Sequence, residues 1–154
     1  MKEMKVLLVD DEEEFVKALA ERMKMREVES DVALSGEEAL KTMDEDLPDV
    51  MVLDLKMPGM DGMEVLRRAK KAYPGVQIIM LTGHGSEKDE QEARRLGVFE
   101  YLQKPVPIEK LMKTITEAYK RKFEDTRAPL LLLKPVNSIP QKKSLTETRK
   151  NNPT

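Results

Sequence analysis

Short apolar runs alternate along this chain with stretches whose apolar residues recur three or four apart. Lys5-Val6-Leu7-Leu8-Val9 is apolar throughout and stops at Asp10-Asp11. A continuous run of that length suits a strand buried on both faces, as in a parallel sheet. Glu12-Glu13-Glu14 follows as an acidic first turn, which suits a helix N-terminus. Phe15, Val16, Leu19, Ala20 and Met23 then recur at helical spacing. Val28, Ser30, Val32 and Leu34 alternate and predict a second, weaker strand. Ser35-Gly36-Glu37-Glu38 has the form of a capped helix start, with Ala39, Leu40 and Met43 facing inward. The third run, Val50 to Leu53, ends at Asp54, and Lys56-Met57-Pro58-Gly59 breaks it.

The alternation continues to Phe123. Met63, Leu66 and Ala69 mark a helix that closes near Tyr73-Pro74-Gly75. Val76 to Leu81 is a fourth strand, leading into Thr82-Gly83-His84-Gly85. Ser86 opens a helix with Ala93 and Leu96 inside, stopped by Gly97. Val98 to Leu102 is a fifth strand, ending in Gln103-Lys104-Pro105. Pro107 begins a last helix with Ile108, Leu111, Met112, Ile115 and Ala118 on one face. Strands alternating with helices in this way predict an α/β fold, a doubly wound parallel sheet covered on both faces. Residues 1–123 form that domain, and 124–154 are expected to be a tail without an output domain. Within the tail, Leu130 to Leu133 lie between prolines as an apolar patch that needs cover, from its own domain or from a second subunit as a homodimer.

Composition narrows the classes. At 154 residues there is chain enough for a real core. Cysteine is absent, which excludes a disulfide scaffold and thiolate metal sites and is compatible with a reducing cytosol. The start shows no signal peptide, and no apolar stretch approaches the ~20 residues that span a bilayer. A cytoplasmic protein without membrane contact is expected. The net charge of −2 gives no electrostatic footprint for direct nucleic-acid binding.

The predicted strand ends carry the chemistry. Strands one, three, four and five deliver Asp10 and Asp11, Asp54, Thr82, and Lys104. In a parallel sheet these ends share one edge, where open α/β sheets place their sites. Close carboxylates repel, and a hard divalent cation such as Mg²⁺ resolves that repulsion. Asp54 would then be a carboxylate nucleophile toward phosphorus. Mg²⁺ and the Lys104 ammonium would neutralise charge on the transferring group, and the Thr82 hydroxyl would hydrogen-bond it. Each residue alone has a plainer reading: Asp10-Asp11 a helix cap, Asp54 a turn aspartate, Thr82 a strand residue, Lys104 a surface lysine. Their joint placement favours the site.

The segments LLVDDEEEF, SGEEAL, DVMVLDLKMPGMDGMEVL, IIMLTGHGS and YLQKPV, in this order, resemble the receiver domains of two-component response regulators. The resemblance covers Lys5 to Phe123 and implies a flavodoxin-like, chemotaxis-regulator-like fold with strand order 2-1-3-4-5. It makes Asp54 the phosphoacceptor. It gives Asp11 a direct Mg²⁺ contact, Asp10 a water-mediated one, and the Lys56 backbone carbonyl a further one. Thr82 and Tyr101 become the switch pair and Lys104 the phosphate-sensing lysine, with a cis bond before Pro105. It implies a phosphoryl donor, either a histidine kinase or a histidine phosphotransferase. A downstream protein would dock on the face made by the fourth helix, fifth strand and fifth helix. Lys56 and His84 stand two residues after the phosphoacceptor and two after the switch threonine, where they would modulate dephosphorylation. The expectation is a stand-alone signalling switch whose only catalysis is self-directed phosphotransfer and slow hydrolysis. Two rivals remain. An aspartyl phosphatase wants a second acid two residues after its nucleophile, where this chain has Lys56. A receiver fold that works without phosphate would not need Asp11, Asp54, Thr82 and Lys104 together.

Overall fold

The computed structural model describes residues 3–133, with side chains as far as Glu124. Five parallel strands lie in the order β2-β1-β3-β4-β5. They are β1 (Val6–Val9), β2 (Ser30–Ala33), β3 (Val50–Leu53), β4 (Gln77–Thr82) and β5 (Glu100–Gln103). Five helices alternate with them: α1 (Glu13–Lys24), α2 (Gly36–Glu45), α3 (Gly62–Ala72), α4 (Glu87–Arg95) and α5 (Ile108–Leu133).

Strand alternation sorts the core into two layers, because successive side chains point to opposite faces. Leu7, Val9, Met51, Leu53, Ile78 and Met80 meet Ala39 and Met43 of α2, Val65, Leu66 and Ala69 of α3, and Ala93 of α4. Val6, Leu8, Val50, Val52, Ile79 and Leu81 meet Val16, Leu19 and Met23 of α1 and Leu111, Ile115 and Ala118 of α5. This is why the inner strands read as unbroken apolar runs. Edge strand β2 alternates instead, and only Ala33 is fully buried in it.

Local chemistry sets the helix starts. Ser35, Asp61 and Ser86 cap α2, α3 and α4, each side chain accepting the N–H three residues on. Those three groups have no partner within their helix. Helix α5 departs from the expected pattern, since it runs through Pro129 to Leu133 rather than failing after Phe123. Tyr119 packs half-buried against the core, and Tyr119 to Glu124 contain no glycine or proline and include several strong helix formers, so the backbone ladder continues. The chain divides into two units after Lys120, and the described part of the second is this helical segment. Cover for the Leu130–Leu133 side chains lies outside the described residues, as does the segment from 134 onward.

Candidate functional site

The sheet's carboxyl edge is extended one residue beyond its strands by backbone hydrogen bonds. The Asp10 N–H donates to the Ala33 carbonyl at 3.1 Å, and the Asp54 N–H to the Val9 carbonyl at 2.9 Å. The Lys104 N–H donates to the Thr82 carbonyl at 2.9 Å. Asp10, Asp54, Thr82 and Lys104 are thereby held along one edge, as their places in the sequence predict. The turn after Asp54 is pinned as well, since the Gly62 N–H donates to the Leu55 carbonyl at 2.7 Å. A Cβ on Gly62 would lie 2.1 Å from the Asp54 carbonyl oxygen, so only glycine allows α3 to start this close to the site.

Asp10 and Asp54 are buried, at 3% and 4% exposure, while Asp11 faces solvent. One carboxylate oxygen from each of the three lies within 4.8 Å of the others. Both Asp10 oxygens are engaged: Oδ1 accepts the Glu12 N–H at 2.9 Å, and Oδ2 accepts the Lys104 ammonium at 2.8 Å. Asp54 Oδ1 is buried with no hydrogen-bond partner. Burial first, then the charge of Asp10, pushes the Asp54 carboxyl up to about 6. Lys104, the Thr82 hydroxyl and the Leu55 amide pull it the other way. A buried orphan oxygen among clustered carboxylates is a donor set that fits a hard divalent cation, and Mg²⁺ accepts a few carboxylates completed by water.

Residues 6–116 match the response regulator receiver domain family. The chain belongs to that family. Among its relatives, the transcriptional regulatory protein GlrR of Escherichia coli (strain K12) is 35% identical over 137 residues, covering 82% of this chain and 31% of the relative. The luminescence regulatory protein LuxO of Vibrio campbellii is 35% identical over 94 residues, covering 61% of this chain and 21% of the relative. The chain thus spans less than a third of the length of these two relatives. Among solved structures, a receiver domain protein from Clostridium thermocellum is 36% identical with a TM-score of 0.73, covering 77% of this chain and 96% of that one. A CheY-like receiver from Methanospirillum hungatei JF-1 is 26% identical with a TM-score of 0.77, covering 80% of this chain and 99% of that one.

The other expected receiver residues surround this centre. Thr82 is fully buried at the end of β4, and its Oγ1 accepts the His84 N–H at 3.2 Å. Tyr101 on β5 is 5% exposed, its ring packed in the α2–α3–α4 layer and its hydroxyl without a hydrogen-bond partner. The Lys104–Pro105 bond is cis. The Lys56 side chain is exposed at the mouth of a groove between α3 and α4, shared with Asp61, Glu64, Lys88 and Asp89. His84 is also exposed. No described helix is long and apolar enough to cross a membrane.

Two residues enter the site that their sequence pattern placed elsewhere. Phe15 follows the helical spacing of the core, yet it is 38% exposed and its ring lies beneath the Lys104 ammonium, 4.2 Å from ring centre to nitrogen. Its neighbour Val16 takes the inward place. Glu12, read as part of an acidic first turn, is a second carboxylate for Lys104 at 3.3 Å. The signal for both was their closeness to Asp10-Asp11 at a strand end, which spacing alone does not reveal.

Proposed function

We propose that this receiver takes a phosphoryl group onto Asp54 from the phosphohistidine of a histidine kinase or histidine phosphotransferase. The observation that carries this reading is the buried, unpartnered Asp54 Oδ1 among the clustered carboxylates of Asp10 and Asp11. The Asp54 oxygen forms a bond to phosphorus as the phosphorus–nitrogen bond of the donor breaks, and the electron pair stays on the histidine nitrogen. Asp10, Asp11, Asp54 and the Lys56 carbonyl would hold Mg²⁺, which supplies charge neutralisation for the transferring group. Lys104 already lies among the acids and brings a second positive charge to the incoming oxygens. The Thr82 hydroxyl, bonded in this state by the His84 N–H, turns to donate to a phosphoryl oxygen. Hydrolysis of the acyl phosphate is slow and self-directed, so the protein acts as a switch in the cytoplasm rather than on an outside substrate.

The readout follows from Thr82 and Tyr101, which sit side by side on the way to the α4–β5–α5 face. A downstream protein or an effector segment docks there. The longer relatives are regulators that carry more chain than a receiver, and the docking partner of such a face is protein rather than nucleic acid. A phosphatase reading is disfavoured by Lys56, which stands where that chemistry needs an acid.

The test is phosphorylation by acetyl phosphate with Mg²⁺, followed by intact mass. Wild type gains one phosphate and Asp54→Asn gains none. Labelling that survives in Asp54→Asn sinks the assignment.

A further inference from the structure

Tyr101 occupies a space that exists only because residue 85 has no side chain. A Cβ built on Gly85 would lie 1.6 Å from the Tyr101 hydroxyl oxygen, 2.9 Å from its Cζ and 3.1 Å from Thr82 Cγ2. Nothing polar holds the ring there. The hydroxyl is buried and makes no hydrogen bond. Burial, then the charges of Asp89 and Glu90, raise the Tyr101 phenol above its usual range, so it stays a neutral group without a partner. A buried unpaired hydroxyl costs free energy, and the inward ring is kept by packing against its walls. One of those walls is the Gly85 backbone.

We propose that Gly85 is a positioning residue for the Tyr101 switch: its bare Cα forms the pocket wall that admits the ring, and any side chain at this place holds the ring out. This rests on the reading of Tyr101 as the moving member of the switch pair. The Tyr101 hydroxyl is the free end of a side chain that rotates, so a methyl group at 85 displaces the ring rather than the backbone. Gly85 lies one residue before the Ser86 cap of α4. The same contact therefore ties the position of the ring to the start of α4. A neighbouring glycine gives the control. A Cβ on Gly83 would meet only the Lys104 side chain, at 3.8 Å, which is ordinary contact.

The experiment labels the full chain with 3-fluorotyrosine and assigns the Tyr101 fluorine signal by its loss in Tyr101→Phe. A soluble paramagnetic quencher then reports exposure of each ring. With beryllofluoride and Mg²⁺ bound, wild type and Gly83→Ala should show Tyr101 protected, and Gly85→Ala should show it as accessible as an exposed tyrosine. Protection of Tyr101 in Gly85→Ala overturns the proposal. Should Gly85→Ala fold poorly, denaturant unfolding of Tyr101→Ala and Gly85→Ala/Tyr101→Ala decides. A ring clash predicts that the alanine at 85 loses its cost once the ring is gone, and additive costs overturn it. Phosphate loading of Asp54 is measured alongside. Failure of wild type to load would count against the site reading and leave the Gly85 contact a separate result.

Discussion

The Lys104 ammonium sits 2.8 Å from Asp10 Oδ2 and 4.2 Å from the centre of the Phe15 ring. One cation thus faces carboxylates on one side and an aromatic face on the other. Burial opposes its charge, but the hydrogen bond it donates to Asp10 and the charges of Asp10 and Asp54 outweigh this, and its pKa is raised. The same lysine lowers the Asp54 pKa, against burial and Asp10.

That balance predicts a pH dependence of stability in metal-free buffer. Asp54 titrates at about 6 in the fold, against an ordinary value of 3.8. A raised carboxyl pKa means that ionisation costs stability in the folded state. The cost is absent below pH ~3.8, sets in as pH rises toward 6, and is complete above it, reaching at most ~3 kcal/mol at 1.36 kcal/mol per pKa unit. Asp54→Asn should gain on wild type as pH rises from 5 to 7.5, measured by denaturant unfolding with a chelator. An advantage independent of pH would refute the electrostatic cause. In Lys104→Met the loss should be larger and its window should move upward.

Mg²⁺ should reverse this cost. A ligand that binds only the folded chain stabilises it by ~2.7 kcal/mol at a hundred times its dissociation constant. Wild type at pH 7.5 should therefore melt higher with added Mg²⁺, while Asp11→Ala and Asp54→Asn respond weakly. Equal responses from all three would place the ion elsewhere.

Most of the fold and the centre of the site were legible in the residues themselves. Two-face burial writes an unbroken apolar run, so β1, β3 and β4 were plain, and a run that stops at an acid or a threonine marks a strand end. The ends of α5 and the side taken by Phe15 were not plain. Helical spacing at Phe15 and Val16 is satisfied by either residue inward, and the outward Phe15 ring meets Lys104, eighty-nine positions away in the chain. Likewise Gly85 looks like ordinary loop flexibility until the Tyr101 ring is seen against it.

Gly62→Ala should disable the site through the backbone. Its Cβ would meet the Asp54 carbonyl oxygen at 2.1 Å and Leu55 Cα at 2.8 Å, and neither is a free end that can rotate away. Overpacking of this kind costs about 1–3 kcal/mol or more. We expect a lower melting temperature together with slower phosphorylation by acetyl phosphate. A variant that melts and loads like wild type would show that the turn after Asp54 has more slack than the structure displays.

Ser86→Ala tests the start of α4. The Ser86 hydroxyl accepts the Asp89 N–H at 3.1 Å, and Asp89 Oδ2 accepts the Ser86 N–H at 3.0 Å. Loss of such a cap costs ~1 kcal/mol. The loss should appear in denaturant unfolding, and amide exchange should quicken in the first turn of α4 rather than across the sheet. Unchanged exchange there would mean that Asp89 alone holds the turn.

Lys56 should prolong the life of a phosphoryl group on Asp54. Hydrolysis needs a water lined up opposite the aspartyl oxygen. A side chain two residues after the phosphoacceptor can hold that water only if it accepts a hydrogen bond, and an ammonium has donors alone. Lys56 is exposed, and its charge reaches Asp89, whose pKa is lowered chiefly by bonds from Ser86 and further by Lys56 and Lys88. In the resting state the lysine is thus shared with the α4 cap. A phosphoryl dianion on Asp54 would compete for it and draw the ammonium across the group as a charge-assisted cover. Lys56→Asn should remove that cover and supply an acceptor for the water. Dephosphorylation should then quicken several-fold, or about 1 kcal/mol in barrier by the tenfold-per-1.36 kcal/mol rule. His84→Ala is the companion variant, since His84 is exposed and touches the site through its backbone N–H to Thr82. The measurement follows loss of phosphate from purified protein with Mg²⁺ present. If the half-life is unchanged in Lys56→Asn, the lysine is not the brake. Slow loss would then come from burial of Asp54 itself, and the Lys56 charge would serve the α4 cap alone.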